Sequence, residues 1–195
     1  MTDVKKSTDA VALENEIRST RVGGFGSSDA EMIYNIGLRG SLTNGDRERI
    51  AVYLGLQASP EFSNEYTERG KRREQEVLEF LRKEHTDRTY TSNPLYENKE
   101  LTVISGIRCF THIDIVEERE FSFFSWYEVK STKESLYHTA LRYRSQLWWH
   151  LWCMKDCLGS SDGVYLLHYN EDGTDVFNKF YLSERHVTID ENYLT

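Results

Sequence analysis

The chain has 195 residues, 38% of them apolar and 13% aromatic, and a formal net charge of −8. That length supports one domain with a real core, and that composition excludes a disordered polymer. The acidic balance excludes sequence-blind attraction to nucleic acid through overall charge. It leaves room for a local basic groove, because Arg69, Lys71, Arg72 and Arg73 cluster, as do Arg142 and Arg144. No apolar run reaches membrane-spanning length, since His150 interrupts Trp148–Met154. Met1–Lys6 has no apolar core of the kind a signal peptide needs, so a cytoplasmic location and no membrane partner are expected. Cys109, Cys153 and Cys157 are too few for a four-cysteine zinc or iron–sulfur site and read as reduced, buried thiols.

Taken in order, residues 1–7 read as a frayed tail, and Thr8-Asp9 as the cap of a helix running to about Ser19. Arg21-Val22-Gly23-Gly24-Phe25-Gly26-Ser27-Ser28-Asp29 is a glycine-rich loop entering a helix marked by Ala30, Ile33, Tyr34 and Ile36. Free N–H groups at such a start attract phosphate, with Arg21 and the Ser28 hydroxyl as added donors; a plain capped turn is the other reading. Gly40–Gly45 reads as a loop and Asp46–Leu54 as a short helix. Ser59-Pro60 opens a longer helix to about Glu84. Val77, Leu78, Phe80 and Leu81 give it a buried stripe, and Glu74 falls on or beside that stripe, an odd place for a carboxylate without a partner. Gly70 reads as room for another backbone.

Asn93-Pro94 is a turn. The periodicity then predicts strands at Leu95–Glu97, Leu101–Ser105 and Arg108–Val116, the last joined by a turn at Glu117–Glu120 to a strand at Phe123–Ser131. Alternation puts Glu128 and Lys130 on one face and Val129 on the other, with Asp114 pointing to one face of its own strand. Two carboxylates and an ammonium at one end of a hairpin suit Mg²⁺ or Mn²⁺ and phosphodiester cleavage. A solvated face is the ordinary explanation of such a triplet. Against it, Ile113, Ile115, Val116, Trp126, Tyr127 and Val129 mark these strands as buried, where a carboxylate needs a partner. A helix from Ser135 or Thr139 to Cys157 is apolar nearly all round. Gln146 and His150 share one of its faces, and His150 reads as a satisfied core histidine. Strands at Val164–Tyr169 and Val176–Leu182 follow, then a polar tail from Ser183, its end (186–195) expected to be flexible. The order implies a single α/β domain over 1–195, with a three- or four-stranded central mixed sheet flanked by helices.

The ordered set resembles the PD-(D/E)XK nuclease superfamily, and within it the phage lambda-type alkaline exonucleases, also called YqaJ-like viral recombinases. The resemblance rests on Arg21–Asp29, Gly70–Glu74, Ile113-Asp114, Glu128-Val129-Lys130 and Tyr143–Leu147. It implies a restriction-endonuclease-like core and a Mg²⁺- or Mn²⁺-dependent deoxyribonuclease working 5′→3′ on linear double-stranded DNA in phage recombination or DNA processing. Asp114 and Glu128 would hold the metal with the Val129 carbonyl, and Glu74 would complete the acidic cluster directly or through a water. Lys130 would position or activate the attacking water, and Gln146 would orient Lys130 or that water. Arg21 and Ser28 would hold the 5′-phosphate. A single-strand annealing protein and a homo-oligomer are the partners the family implies. Two departures stand out: His112-Ile113 precede Asp114 where the motif has proline, and Ile17 stands where a tryptophan often precedes the loop arginine. An endonuclease or single-strand nuclease on the same core, or a catalytically silent nuclease-like binding or inhibitor protein, are the alternatives.

Overall fold

A computed structural model describes residues 23–57, 65–119, 123–154, 164–170 and 182–187. The helix at Thr8–Ser19, Arg21, the helix start at Ser59-Pro60, Cys157 and all but the last residue of the strand expected at Val176–Leu182 lie outside them. The elements in order are β1 (Gly24–Phe25), α1 (Ala30–Arg39), α2 (Asn44–Tyr53), α3 (Glu65–Glu84), β2 (Thr89–Ser92), β3 (Leu95–Glu97) and α4 (Lys99–Ser105). They continue with β4 (Arg108–His112), β5 (Ile115–Arg119), β6 (Phe123–Thr132), α5 (Leu136–Arg142), α6 (Arg144–Cys153), β7 (Val164–Asn170) and β8 (Leu182–Val187). The fold is α/β. Its main sheet has five strands in the order β2-β5-β6-β7-β8, mixed because β6 and β7 run parallel and the other pairs antiparallel. A second sheet has the order β1-β4-β3.

Strand alternation gives β6 two different faces. Tyr127 and Val129 pack with Val77, Leu78 and Leu81 of α3, Tyr90 of β2, Ile115 and Leu167. Trp126, on the other face, packs with Ile113, Ala140 of α5, and Leu147 and Leu151 of α6. The stripe read from 77–81 therefore sits where expected, on one side of the sheet, and the tryptophan-rich helix lies on the other. A third cluster of Ala30, Cys109, Trp149 and Cys153 joins α1 and α6, and both cysteines are buried thiols outside any disulfide, as expected.

Several elements differ from the sequence reading. Leu101–Ser105 is not a strand but lies in helix α4. Both edges of β4 are taken, by β1 and β3, so this segment has no ladder to join and satisfies its N–H groups within itself. Thr102 serves both sides of this arrangement: its amide donates to Asn98 O, and its hydroxyl accepts from the Cys109 amide at 3.1 Å. Glu117–Glu120 is not a turn at its start, because Glu117 and Glu118 pair with Ser125 and Phe124 in the ladder. The helix from Ser135 is two helices, parted at Tyr143. Helix α2 begins at Asn44, before Asp46, because Thr43 and Asp46 form a capping box. Strand β2 went unread, as did β1, whose Gly24 runs so close to β4 that a Cβ there would collide with the Arg108 carbonyl. Gly70 faces open space rather than a backbone. Ser183–Val187 is not a tail: with Leu182 it forms β8, antiparallel to β7.

The continuous strand expected over Arg108–Val116 is broken, and the break is the feature that builds the site. Strand β4 ends at His112 in one sheet and β5 starts at Ile115 in the other. The chain 92–95 crosses beside it, with Ser92 paired to Ile115 and Leu95 to His112. Hydrogen bonds stitch the two crossings together: Asn93 N–H to Asp114 O at 3.0 Å and Ile113 N–H to Pro94 O at 3.2 Å. Asn93 takes a positive φ of 54° to do so, a conformation asparagine tolerates better than most residues.

Candidate metal and phosphodiester site

Asp114 sits at this seam, and its position follows from backbone accounting. Strand β5 begins one residue later, so the Val129 N–H of β6 has lost its ladder partner there. The Asp114 carboxylate takes its place, Oδ2 accepting from Val129 N at 2.7 Å. The side chain is thus aimed by the end of a ladder, not by strand alternation. Glu128, the residue before, is fully buried on the α6 side. Its Oε1 accepts from Lys130 Nζ and, at 2.6 Å, from Gln146 Nε2 of α6. Lys130 also lies 4.7 Å from the centre of the Tyr143 ring, at the break between α5 and α6.

His150, one turn beyond Gln146, reaches the other oxygen. Its Nε2 stands 2.9 Å from Glu128 Oε2, a pairing that depends on which ring nitrogen carries the proton. Its Nδ1 is 2.6 Å from Thr111 Oγ1. His150 is therefore both a buried core residue and a neighbour of the central carboxylate. The spacing of Gln146 and His150 placed them on one face; what the face met depended on β4 and β6.

Electrostatics bind these groups to Glu74. Burial, then the Glu128 carboxylate, then that of Glu74 push Asp114 well above the ordinary carboxylate range, against the pull of Lys130 and the Val129 amide. Glu74 is raised for the same reasons, burial first and Glu128 second. Burial also works to raise Glu128, yet Lys130 and His150 outweigh it and hold that group at about 2. Lys130 has burial working to lower it and is nevertheless raised, chiefly by Glu128 and then by Asp114. The structure thus brings Asp114, Glu128, Lys130 and Gln146 together, with Glu74 in electrostatic reach from α3. Among the described residues, no group of three or more His, Cys, Asp and Glu side chains is close enough to hold a metal ion. Ser28 lies in the 3₁₀ turn Ser27–Asp29 before α1, and its carbonyl accepts from Arg49 Nη2 at 3.1 Å. Arg21, its expected companion, is outside the described residues.

The architecture and the cluster define an α/β protein with a buried acid–lysine–amide centre at a sheet seam. The crystal structure of SSO0001 matches with a TM-score of 0.50 and 9% sequence identity, over 97% of this chain and 83% of that one, a likeness of fold alone. No family model and no curated protein matches the chain. No helix among the described residues is long and apolar enough to cross a membrane.

Proposed function

We propose that this centre is the active site of a divalent-metal-dependent nuclease with a restriction-endonuclease-like core, digesting linear double-stranded DNA 5′→3′ in phage recombination or DNA processing. The observation that carries the reading is the convergence at one seam of Asp114 on the Val129 amide with Glu128, Lys130 and Gln146. The donors fit Mg²⁺ or Mn²⁺. Glu128 Oε2 is buried with His150 Nε2 2.9 Å away, and Asp114 and Glu74 are raised by burial and then by neighbouring negative charge that a cation would offset. Mg²⁺ retains several waters and is held by one or two carboxylates, so it does not require three side chains. When bound, the ion supplies charge stabilisation at the scissile phosphate and the leaving oxygen.

The chain's own groups then divide the work. Asp114 and Glu128, with the Val129 carbonyl, hold the cation, and Glu74 adds negative charge or orients a water. Lys130, raised by its carboxylate neighbours, stays an ammonium at neutral pH in the metal-free protein. It therefore orients the attacking water by charge rather than by removing its proton. Gln146 fixes the Glu128 carboxylate and through it orients Lys130 or the attacking water. Arg21 and Ser28 remain the groups for the 5′-phosphate.

A second reading, a silent nuclease-like binding protein, is favoured by one observation: Lys130 and Gln146 already occupy Glu128 Oε1, and no three-side-chain metal group is formed. Calorimetric titration with Mg²⁺ and Mn²⁺ separates the two. Wild type is expected to bind and Asp114→Ala to lose binding; equal binding by both removes the site. Digestion of linear but not closed circular DNA, dependent on Mg²⁺, is the expected activity. Cleavage of the circle would assign an endonuclease instead.

A further inference from the structure

The segment between β6 and α6 has an outer face that the core does not use. Helix α5 buries Thr139 and Ala140 and rests Leu136 on the core. Turned outward are Tyr137, 61% exposed, and Leu141, 44% exposed, one helical turn apart. His138 is exposed beside Tyr137, the two rings 5.7 Å apart and edge-on. The two large side chains stand side by side in water on a seven-residue helix.

Charge indicates what covers them. Residues 133–144 carry Lys133, Arg142 and Arg144 against the single carboxylate Glu134, in a chain whose net charge is −8. Glu134 pairs with Arg142 at 3.1 Å, while Lys133 and Arg144 are exposed and make no ion pair among the described residues. The patch is also joined to the acidic centre. The Tyr143 ring has Lys130 Nζ 4.7 Å and Arg142 Cζ 5.8 Å from its centre. At about 1.5 Å of rise per helical residue, Tyr137 lies within roughly 10 Å along the axis of that ring.

We propose that the outer face of α5 seats an unpaired strand of nucleic acid leading to the Glu128–Lys130 centre, a base stacking on Tyr137 against Leu141 and phosphates meeting Lys133, Arg142 and Arg144. The surface is sequence-tolerant, because every base offers a π-face, and it takes a strand only once a duplex end has opened, because paired bases are already stacked. The proposal rests on the nuclease reading above for its purpose, but not for its test.

Fluorescence anisotropy with labelled oligo(dT) and a labelled duplex of equal length, in EDTA at fixed low salt, reads binding without hydrolysis. Wild type is expected to prefer oligo(dT). Tyr137→Ala should weaken oligo(dT) binding roughly 5- to 100-fold and barely change the duplex, while Tyr137→Trp retains the wild-type preference. Arg144→Ala should weaken both ligands and lower the salt slope by about one. Wild type binding oligo(dT) no better than duplex, or Tyr137→Ala matching wild type, overturns the proposal. Normal oligo(dT) binding through Tyr137 with no Mg²⁺-dependent hydrolysis would sink the nuclease reading alone. Hydrolysis of DNA with Tyr137→Ala binding unaltered would sink this one alone.

Discussion

Glu117 and Glu128 are both fully buried, on adjacent strands, and they face opposite sides of the same sheet. Glu117 lies on the α3 side. One of its oxygens accepts from Tyr90 Oη at 2.9 Å, Tyr127 Oη at 3.1 Å and Arg88 Nη1 at 3.1 Å. A cation faces the carboxylate there, with neutral hydroxyls beside it. Burial first, then the hydrogen bond to Glu117, raises the Tyr90 hydroxyl, so it remains a donor. Glu128 has Lys130 and Gln146 on one oxygen and His150 Nε2 2.9 Å from the other. Its charge in turn raises two further carboxylates, Asp114 and Glu74, that burial has already raised. Burial alone does not distinguish a site from a strut. The distinction is whether negative charge is left over once the protein's own donors are counted.

The largest effects should come from deleting the two glutamates. Glu117→Ala leaves Arg88 and two tyrosine hydroxyls facing a void, and should cost about 3–5 kcal/mol in urea unfolding. Its folded fraction should bind Mg²⁺ as wild type does. Glu128→Ala should lose hydrolysis by about 10³-fold or more. Its stability should fall less, because the loss of Lys130's partner is offset by relief of Asp114 and Glu74. An exchange of these two outcomes would erase the contrast between strut and site.

A middle-sized effect distinguishes the neighbours. Glu128 is acceptor-only when ionised, so His150 would have to present Nε2–H to it. Its Nδ1 then accepts from the Thr111 hydroxyl. His150→Ala should weaken Mg²⁺ affinity about 10- to 100-fold by freeing the Glu128 side chain. Tyr127→Phe, made to Glu117 instead, should cost about 1 kcal/mol of stability and leave Mg²⁺ affinity alone. Unchanged affinity in His150→Ala would return that residue to a purely structural role.

The strut was invisible in the sequence and the site was half visible, for physical reasons. Glu117 read as a turn residue because Glu117-Glu118 looks polar, and nothing local shows that Tyr90, Tyr127 and Arg88 converge on one of that pair. Glu128, Lys130 and Gln146 were legible because alternation and helical spacing fix which face they take. Asp114 was singled out for a reason the structure does not bear out. A continuous strand was expected, and only pairing to two different sheets reveals the break that turns its carboxylate onto the Val129 amide. His150 read correctly as core, yet its contact with Glu128 depends on the layer packing and not on spacing. Leu101–Ser105 misled because its β-branched residues favour a strand locally, while the full edges of β4 exclude one.

The smallest expected effect is also the most discriminating, because it reverses sign with metal. Asp114 in the native protein is raised above its ordinary 3.8, so between that pH and its native pKa the folded state binds the extra proton. Stability from this group therefore falls as pH rises from 3.8. Glu128 does the opposite: held at about 2 against an ordinary 4.5, it contributes stability above 4.5 that is lost as pH drops toward 2. At neutral pH in EDTA, Asp114 is thus a cost and Glu128 a gain. Asp114→Asn can still accept from the Val129 amide and removes the cost, so in EDTA it should be more stable than wild type by about 1 kcal/mol. That margin should shrink as pH is lowered toward 4. Saturating Mg²⁺ should then stabilise wild type and not the variant, reversing their order of melting. Asp114→Asn melting no higher than wild type in EDTA would mean that no excess charge is stored at the seam, and Glu128 would join Glu117 as a strut.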